Sequence, residues 1–260
     1  MQTPEPLLAA QRDGPVLHLR LNRPAKRNAV NDALLMALHD AFAALAEDVR
    51  CVLLSGEGAH FCAGLDLSAL VDQGTFEGVA HSRMWHAAMD RIQWARAPVV
   101  AVLQGAVVGG GLEIASAAHV RVAEPSTFYG LPEGQRGLFV GGGGSVRVPR
   151  LIGVARMADM MLTGRVLDAA EGQQCGLSTY LSEAGGGLAQ GMALAQRIAL
   201  NAPVSNFAVV QALPRIAEAG PAEGLFIESL MAAIAQGEPA AKERMRAFVD
   251  KRAGKVERPT

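Results

Sequence analysis

Apolar positions follow two rhythms in the first half of the chain. Val16 to Leu21 and Cys51 to Leu54 are short branched runs of strand length, whereas Leu34, Leu35, Leu38, Phe42 and Leu45, between Asn31 and Glu47, recur on one helical face. The pattern repeats with a helix through Trp85, Met89 and Ile92, a strand at Val99 to Val102, a helix from about Gly110 and a strand at Val120 to Ala123. Alternating strands and helices predict an α/β fold with mainly parallel pairing, because parallel strands need crossovers. Beyond Arg150 the strand-like runs vanish and Ala, Leu and Met take over in helical spacing through Arg197, Ile216 and Phe248. Asn201-Ala202-Pro203 reads as a helix stop followed by a new start, which divides the chain into a core over 1–200 and a helical region over 201–260. Glu238 to Lys251 joins an apolar stripe to Lys242, Arg244 and Arg246, a face suited to another subunit as well as to its own core. Lys255 to Thr260 is expected to fray.

Composition narrows the partners. The 260 residues are 50% hydrophobic and 19% charged, enough apolar mass for a large buried core. Net charge is −1 with interleaved signs, and no basic tract tracks a phosphate backbone, so nucleic acid is not the expected partner. Cys51, Cys62 and Cys175 show neither C-x-x-C spacing nor an even count, which argues against a disulfide framework or a zinc site and for a reducing cytoplasm. Met1 to Gln11 carries Pro4, Glu5 and Pro6 instead of a basic end and an apolar run, unlike a signal peptide. Ala97 to Ala118 is apolar, but Gln104, Glu113 and the glycines inside it predict strand, turn and helix instead of a membrane span.

The chemistry gathers around two glutamates, Glu113 after Gly109-Gly110-Gly111 and Glu133 after Pro132. A glycine run that opens a helix leaves backbone N–H donors free beside the first carboxyl. A second glycine turn, Ser55 to Leu67, follows the Cys51 strand, so one N–H from each turn would make a two-donor oxyanion hole. Taken singly, such glycines merely permit tight turns, and each Glu is a helix-start or surface carboxylate. His60 and His86 lack a Ser or Cys partner at triad spacing, and Cys62 has no evident base; all three read as structural or peripheral. Gly141 to Gly144 lacks a following Lys-Ser or Lys-Thr, which weakens a nucleotide-triphosphate reading.

Taken together, Leu21-Asn22-Arg23-Pro24-Ala25-Lys26-Arg27-Asn28-Ala29, Phe61-Cys62-Ala63-Gly64-Leu65-Asp66-Leu67, Gly105 to Glu113 and Pro132-Glu133 resemble the ordered motifs of the crotonase, or enoyl-CoA hydratase, superfamily. Gly105 to Glu113 and Leu131 to Gly137 look especially like its methylthioacryloyl-CoA hydratase branch. The resemblance implies a crotonase-type spiral of β-β-α units followed by a helical trimerisation region, with trimers pairing into hexamers. It implies oxyanion donors at the backbone N–H groups of Leu65 and Gly110 and hydratase carboxyls at Glu113 and Glu133, with no metal and no cofactor beyond the CoA of the substrate. CoA contacts are implied at Lys26, Arg27, Ala29, Ala63, Asp66 and Leu67, and at Phe248 and Lys251 of a C-terminal helix that often reaches a neighbour's ligand. Trp85, Phe128, Tyr129 and Phe139 are candidates to shape an acyl pocket. Where many family hydratases have a proline and a Thr-Gln pair, Phe139 to Val146 runs through four glycines, which leaves chain-length preference open. An isomerase or CoA thioester hydrolase on the same scaffold is the rival reading, and a non-catalytic assembly or RNA-binding homologue a third. The paired glutamates speak against loss of catalysis, and the missing basic stretch against RNA.

Overall fold

The computed structural model describes residues 5–69 and 74–252. Two compact units divide the chain at 199/200.

The first unit is built on a sheet in the order β1 (Leu8–Asp13), β2 (Val16–Leu21), β3 (Cys51–Gly56), β4 (Val99–Leu103), β6 (Val120–Ala123) and β9 (Tyr180–Leu181). β1 and β2 form an antiparallel hairpin, and every later pair is parallel. A second sheet orders β5 (Ala106–Val108), β7 (Phe128–Gly130) and β8 (Leu167–Asp168), and an isolated bridge from Cys62 to Val107 extends it. Successive passes of the chain thus place one segment in each sheet and then a helix: β3, Cys62 and α2 (Thr75–Gln93); β4, β5 and α3 (Gly110–Ala117); β6, β7 and α4 (Gly144–Ile152). The expected β-β-α repetition has this physical form.

Strand alternation separates two cores. Val52 and Leu54 of β3 face α1 (Asp32–Ala43) and α2 with Leu34, Leu38, Met89 and Ile92, while Cys51 and Leu53 face α7 (Gly187–Ala199) with Ala195 and Ala199. The Asn31 side chain accepts the Leu34 N–H at 3.0 Å and starts α1 where the apolar periodicity begins. α5 (Val154–Thr163) and α6 (Ala169–Cys175) complete this unit.

The second unit contains α8 (Pro203–Phe207), a π turn at Ala208–Ala212, α9 (Leu213–Glu218), α10 (Pro221–Gly237) and α11 (Pro239–Val249). No helix among the described residues is long and apolar enough to cross a membrane, and Ala97 to Ala118 resolves into β4, β5 and α3.

Several strands depart from the sequence pattern. β1 is an exposed edge strand without apolar alternation, closed onto β2 by a turn with Gly14 at φ +55°. β5 and β7 are three residues long, and β8 and β9 two, too short for a period to register, so strands do persist beyond Arg150. The Lys255 to Thr260 tail lies outside the described residues.

Candidate active site

Asn28 anchors the segment that leads into the site. It is fully buried in a left-handed conformation, its amide donates to the carbonyls of Glu57 and His60, and its side-chain oxygen accepts the Arg23 N–H at 2.8 Å. These bonds latch the Gly56 to His60 turn under the chain that runs on to Leu65. There Gly64 has φ +102°, and a Cβ on it would stand 2.8 Å from the Val108 carbonyl oxygen. The close approach brings two amides together: a Cβ on Gly64 would lie 3.5 Å from the Gly110 nitrogen, and one on Gly110 3.3 Å from the Leu65 nitrogen. Neither the Leu65 nor the Gly110 N–H has an acceptor among the described residues. Gly110 is also the first residue of α3, so the positive end of that helix adds to the two donors.

Glu113 lies one turn further along α3 and is only 4% exposed. Its Oε1 accepts the N–H groups of Gly142 and Gly144, both at 2.8 Å. Burial raises its pKa; the two glycine N–H groups and the Arg147 charge oppose that rise, and the Glu133 charge adds to it. Glu133 precedes a short 3-10 turn at Gly134–Arg136 and packs over Gly109, where a Cβ would be 2.8 Å from its Oε1. Its buried Oε2 has no partner, and burial raises its pKa too, against the nearby Arg136 charge.

All four groups line one cavity of about 270 Å³, whose apolar walls include Leu67, Trp85, Leu138, Phe139 and Val140. Two unpaired donors on one cavity wall beside two carboxyls can hold developing negative charge on an oxygen and move protons at neighbouring carbons.

The match of a family model described as enoyl-CoA hydratase/isomerase covers residues 11–258. The chain belongs to the enoyl-CoA hydratase/isomerase family. A candidate enoyl-CoA hydratase from Rhodopseudomonas palustris CGA009 is 56% identical, with a TM-score of 0.93 over 97% of this chain and 98% of that one. Enoyl-CoA hydratase EchA19 of Mycobacterium tuberculosis is 31% identical across 94% of this chain and 93% of its own. The 2,3-dehydroadipyl-CoA hydratase of Escherichia coli K12 is 32% identical across 94% and 96%. The likeness to solved enoyl-CoA hydratases gives this enzyme the crotonase fold.

Other predicted residues fall in several places in the enzyme. Ala63, Leu67, Trp85 and Phe139 lie on the cavity wall. Lys26 and Arg27 are exposed on the Pro24–Lys26 turn, and the Arg27 carbonyl accepts the Ala63 N–H at 2.9 Å, so this turn borders the cavity. Ala29 is half-buried, and its carbonyl accepts from Arg23. The Asp66 carboxylate is taken up by Arg23 at 3.1 Å and Ser68 at 2.9 Å and is not on the wall. Phe248 is exposed near the end of α11, and Lys251 follows with φ +59°.

Tyr129 and Phe128 do not shape the cavity. Tyr129 is fully buried in the small sheet against Gly172, where even a Cβ would collide with its ring, and Phe128 pairs with Ala106 and Asp168 in the same sheet. Neither side chain lines the cavity, which a linear motif does not disclose. His60 accepts the Ala106 N–H at 3.0 Å through Nδ1, and Cys62 is buried with its thiol pushed up to about 12 by burial. Sequence reasoning missed the partnership of Gly142 and Gly144 with Glu113; its trace was the four-glycine run itself. A Cβ on Gly144 would stand 2.8 Å from Glu113 Oε1, and one on Gly142 2.8 Å from Oε2.

Proposed function

We propose that the enzyme adds water across the 2,3 double bond of a 2-enoyl-CoA thioester. The observation that carries this reading is the convergence of two unpaired amide N–H groups, the buried Glu113 carboxyl and the half-buried Glu133 carboxyl on one cavity. The thioester carbonyl oxygen takes the N–H groups of Leu65 and Gly110. A water rests between the carboxyls. Glu113, whose Oε1 is already held by two N–H groups, is the carboxylate that accepts a water proton as the water oxygen bonds to the β-carbon. The π electrons move onto the carbonyl oxygen as an enolate, and Glu133, with its unpartnered oxygen, delivers a proton to the α-carbon. The product carries H at the α-carbon and OH at the β-carbon, and a proton returns from Glu113 to Glu133 before the next turnover.

Methylthioacryloyl-CoA is the particular substrate we assign, on the branch resemblance and on a small apolar cavity that suits a short thioether acyl group. Hydration at the carbon bearing sulfur gives a hemithioacetal, which collapses to methanethiol and an aldehyde thioester. Hydrolysis and decarboxylation of the latter give acetaldehyde, CO₂ and CoA. Lys26, Arg27, Ala29, Ala63, Asp66 and Leu67 would hold the CoA, with Phe248 and Lys251 reaching it from a neighbouring subunit of a trimer or hexamer in the cytoplasm.

Purified protein incubated with crotonyl-CoA and with methylthioacryloyl-CoA tests both levels. Loss of the conjugated thioester absorbance with both, and free thiol with the second, is expected. Absorbance lost only together with CoA release from crotonyl-CoA would make the enzyme a thioesterase, and no thiol beyond that from CoA with the second would remove the finer assignment.

A further inference from the structure

A buried guanidinium lies one layer behind the glycine run that holds Glu113. Arg147, on α4, is 8% exposed. Its Nε donates to Gln93 Oε1 at 2.6 Å, its Nη2 to Asp90 Oδ1 at 2.7 Å, and its Nη1 to the Gly142 carbonyl at 3.4 Å. Two of these partners belong to α2, which also carries Trp85 into the cavity wall. The third belongs to the glycine run whose amides hold Glu113. Gly143 must be glycine on two counts: its φ is +95°, and a Cβ there would fall on the Arg147 guanidinium. The run is thus shaped from both sides, by the Glu113 carboxyl on one and Arg147 on the other. Asp90 is largely exposed, whereas Arg147 is not, so taking this cation out of water exceeds what a surface ion pair needs.

We propose that Arg147 is a positioning residue for Glu113: clamped by Asp90 and Gln93, it fixes the glycine run so that Gly142 and Gly144 present their N–H groups to one carboxyl oxygen. This rests on the hydration reading above. The other titratable or charged groups around the pair are Glu133 across the cavity with Arg136 beside it, His86 and Asp90 on α2, and Arg150 on α4. Besides Glu113 itself, Arg147 is the one charged side chain among the described residues that bonds to the run, where the neutral Ser82 hydroxyl also donates to the Gly141 carbonyl at 2.6 Å.

The test uses R147M, R147K and D90N in the full-length protein, with thermal melts, kcat and KM for crotonyl-CoA, pH profiles, and infrared difference titration of the buried carboxyl band assigned through Glu113→Gln. Expected for R147M is a loss of roughly tenfold or more in kcat with little change in KM, since misplacing a reacting group weakens the transition state more than binding. Its acid limb and its Glu113 band should move to higher pH by about one unit, the effect of removing a nearby opposite charge. R147K, keeping the charge, should restore the limb and part of kcat. D90N, altered at the surface, should melt near the native temperature and move the limb to lower pH, which keeps the test available if R147M does not fold. An unmoved limb and infrared band in every folded variant, with kcat falling only as stability falls, would overturn the proposal. Should the unaltered protein fail to hydrate crotonyl-CoA, the hydration reading fails, and the infrared titration still decides the role of Arg147.

Discussion

The two carboxyls stand in differently built surroundings. Glu113 sits inside a helix, holds two backbone N–H groups and is backed by a clamped arginine, whereas Glu133 begins a short turn, has an oxygen without a partner and is followed by exposed Leu138 and Phe139. One is fixed by groups that favour its charge. The other stands among groups that leave a proton free to move. Burial raises both pKa values, so environment rather than residue type divides their roles. The Glu113 side is hydrogen-bonded backbone on which an added Cβ would crowd the carboxyl, and the Glu133 side continues into the apolar wall of Leu138, Phe139 and Val140.

The largest expected effect comes from equalising the two. Glu113→Gln and Glu133→Gln should each fold, keep CoA-thioester binding and lose hydration by ~10²–10⁴ in kcat, the range for deleting a general acid or base. Near-native turnover of crotonyl-CoA in either variant would sink the division of labour. Next is Gly144→Ala, whose Cβ would crowd Glu113 Oε1 at 2.8 Å while the Glu133 side stays intact. A loss of about tenfold to a hundredfold in kcat is expected from displacing the carboxylate. Gly144 does not have positive φ, so its loss is steric, and Gly137→Ala, at φ +69° with nothing near its would-be Cβ, measures backbone strain by itself; equal kcat losses in the two would dissolve the contrast. Phe139→Ala, on the other side, should leave kcat for crotonyl-CoA nearly unchanged and alter the ratio of kcat/KM between short and longer enoyl-CoA substrates by roughly tenfold. An unchanged ratio would remove Phe139 from selectivity.

The smallest effect is on stability. The Glu113 carboxyl in the folded protein titrates above its ordinary value of 4.5, so its favourable contribution is complete below that value, where both states are protonated, and is lost as pH rises through the folded pKa. Above its folded pKa the native protein therefore carries the cost of a buried charge that Glu113→Gln lacks. The variant should melt at or slightly above the native temperature there, with the gap closing below about pH 4.5. A variant markedly less stable at neutral pH would mean that the two glycine N–H groups outweigh burial.

The sequence by itself determined the alternation of strands and helices up to Val120 and the helical character from Pro203 to Val249, because apolar periodicity is a local signal, while the resemblance in its ordered motifs pointed to Leu65, Gly110, Glu113 and Glu133, which the fold places on one cavity. It did not disclose β1, whose pairing comes from a neighbour and not from its own alternation, or the short strands of the small sheet. Only the tertiary structure decided that Tyr129 packs in the core against Gly172 and that Phe139, in an irregular segment, lines the cavity, since no local periodicity sets either placement. It alone joined Glu113 to Gly142 and Gly144 across separations of 29 and 31 residues, and Gly142 in turn to the Arg147 guanidinium. A buried carboxyl must find donors wherever the chain can bring them within hydrogen-bond distance, and only folding fixes where that is.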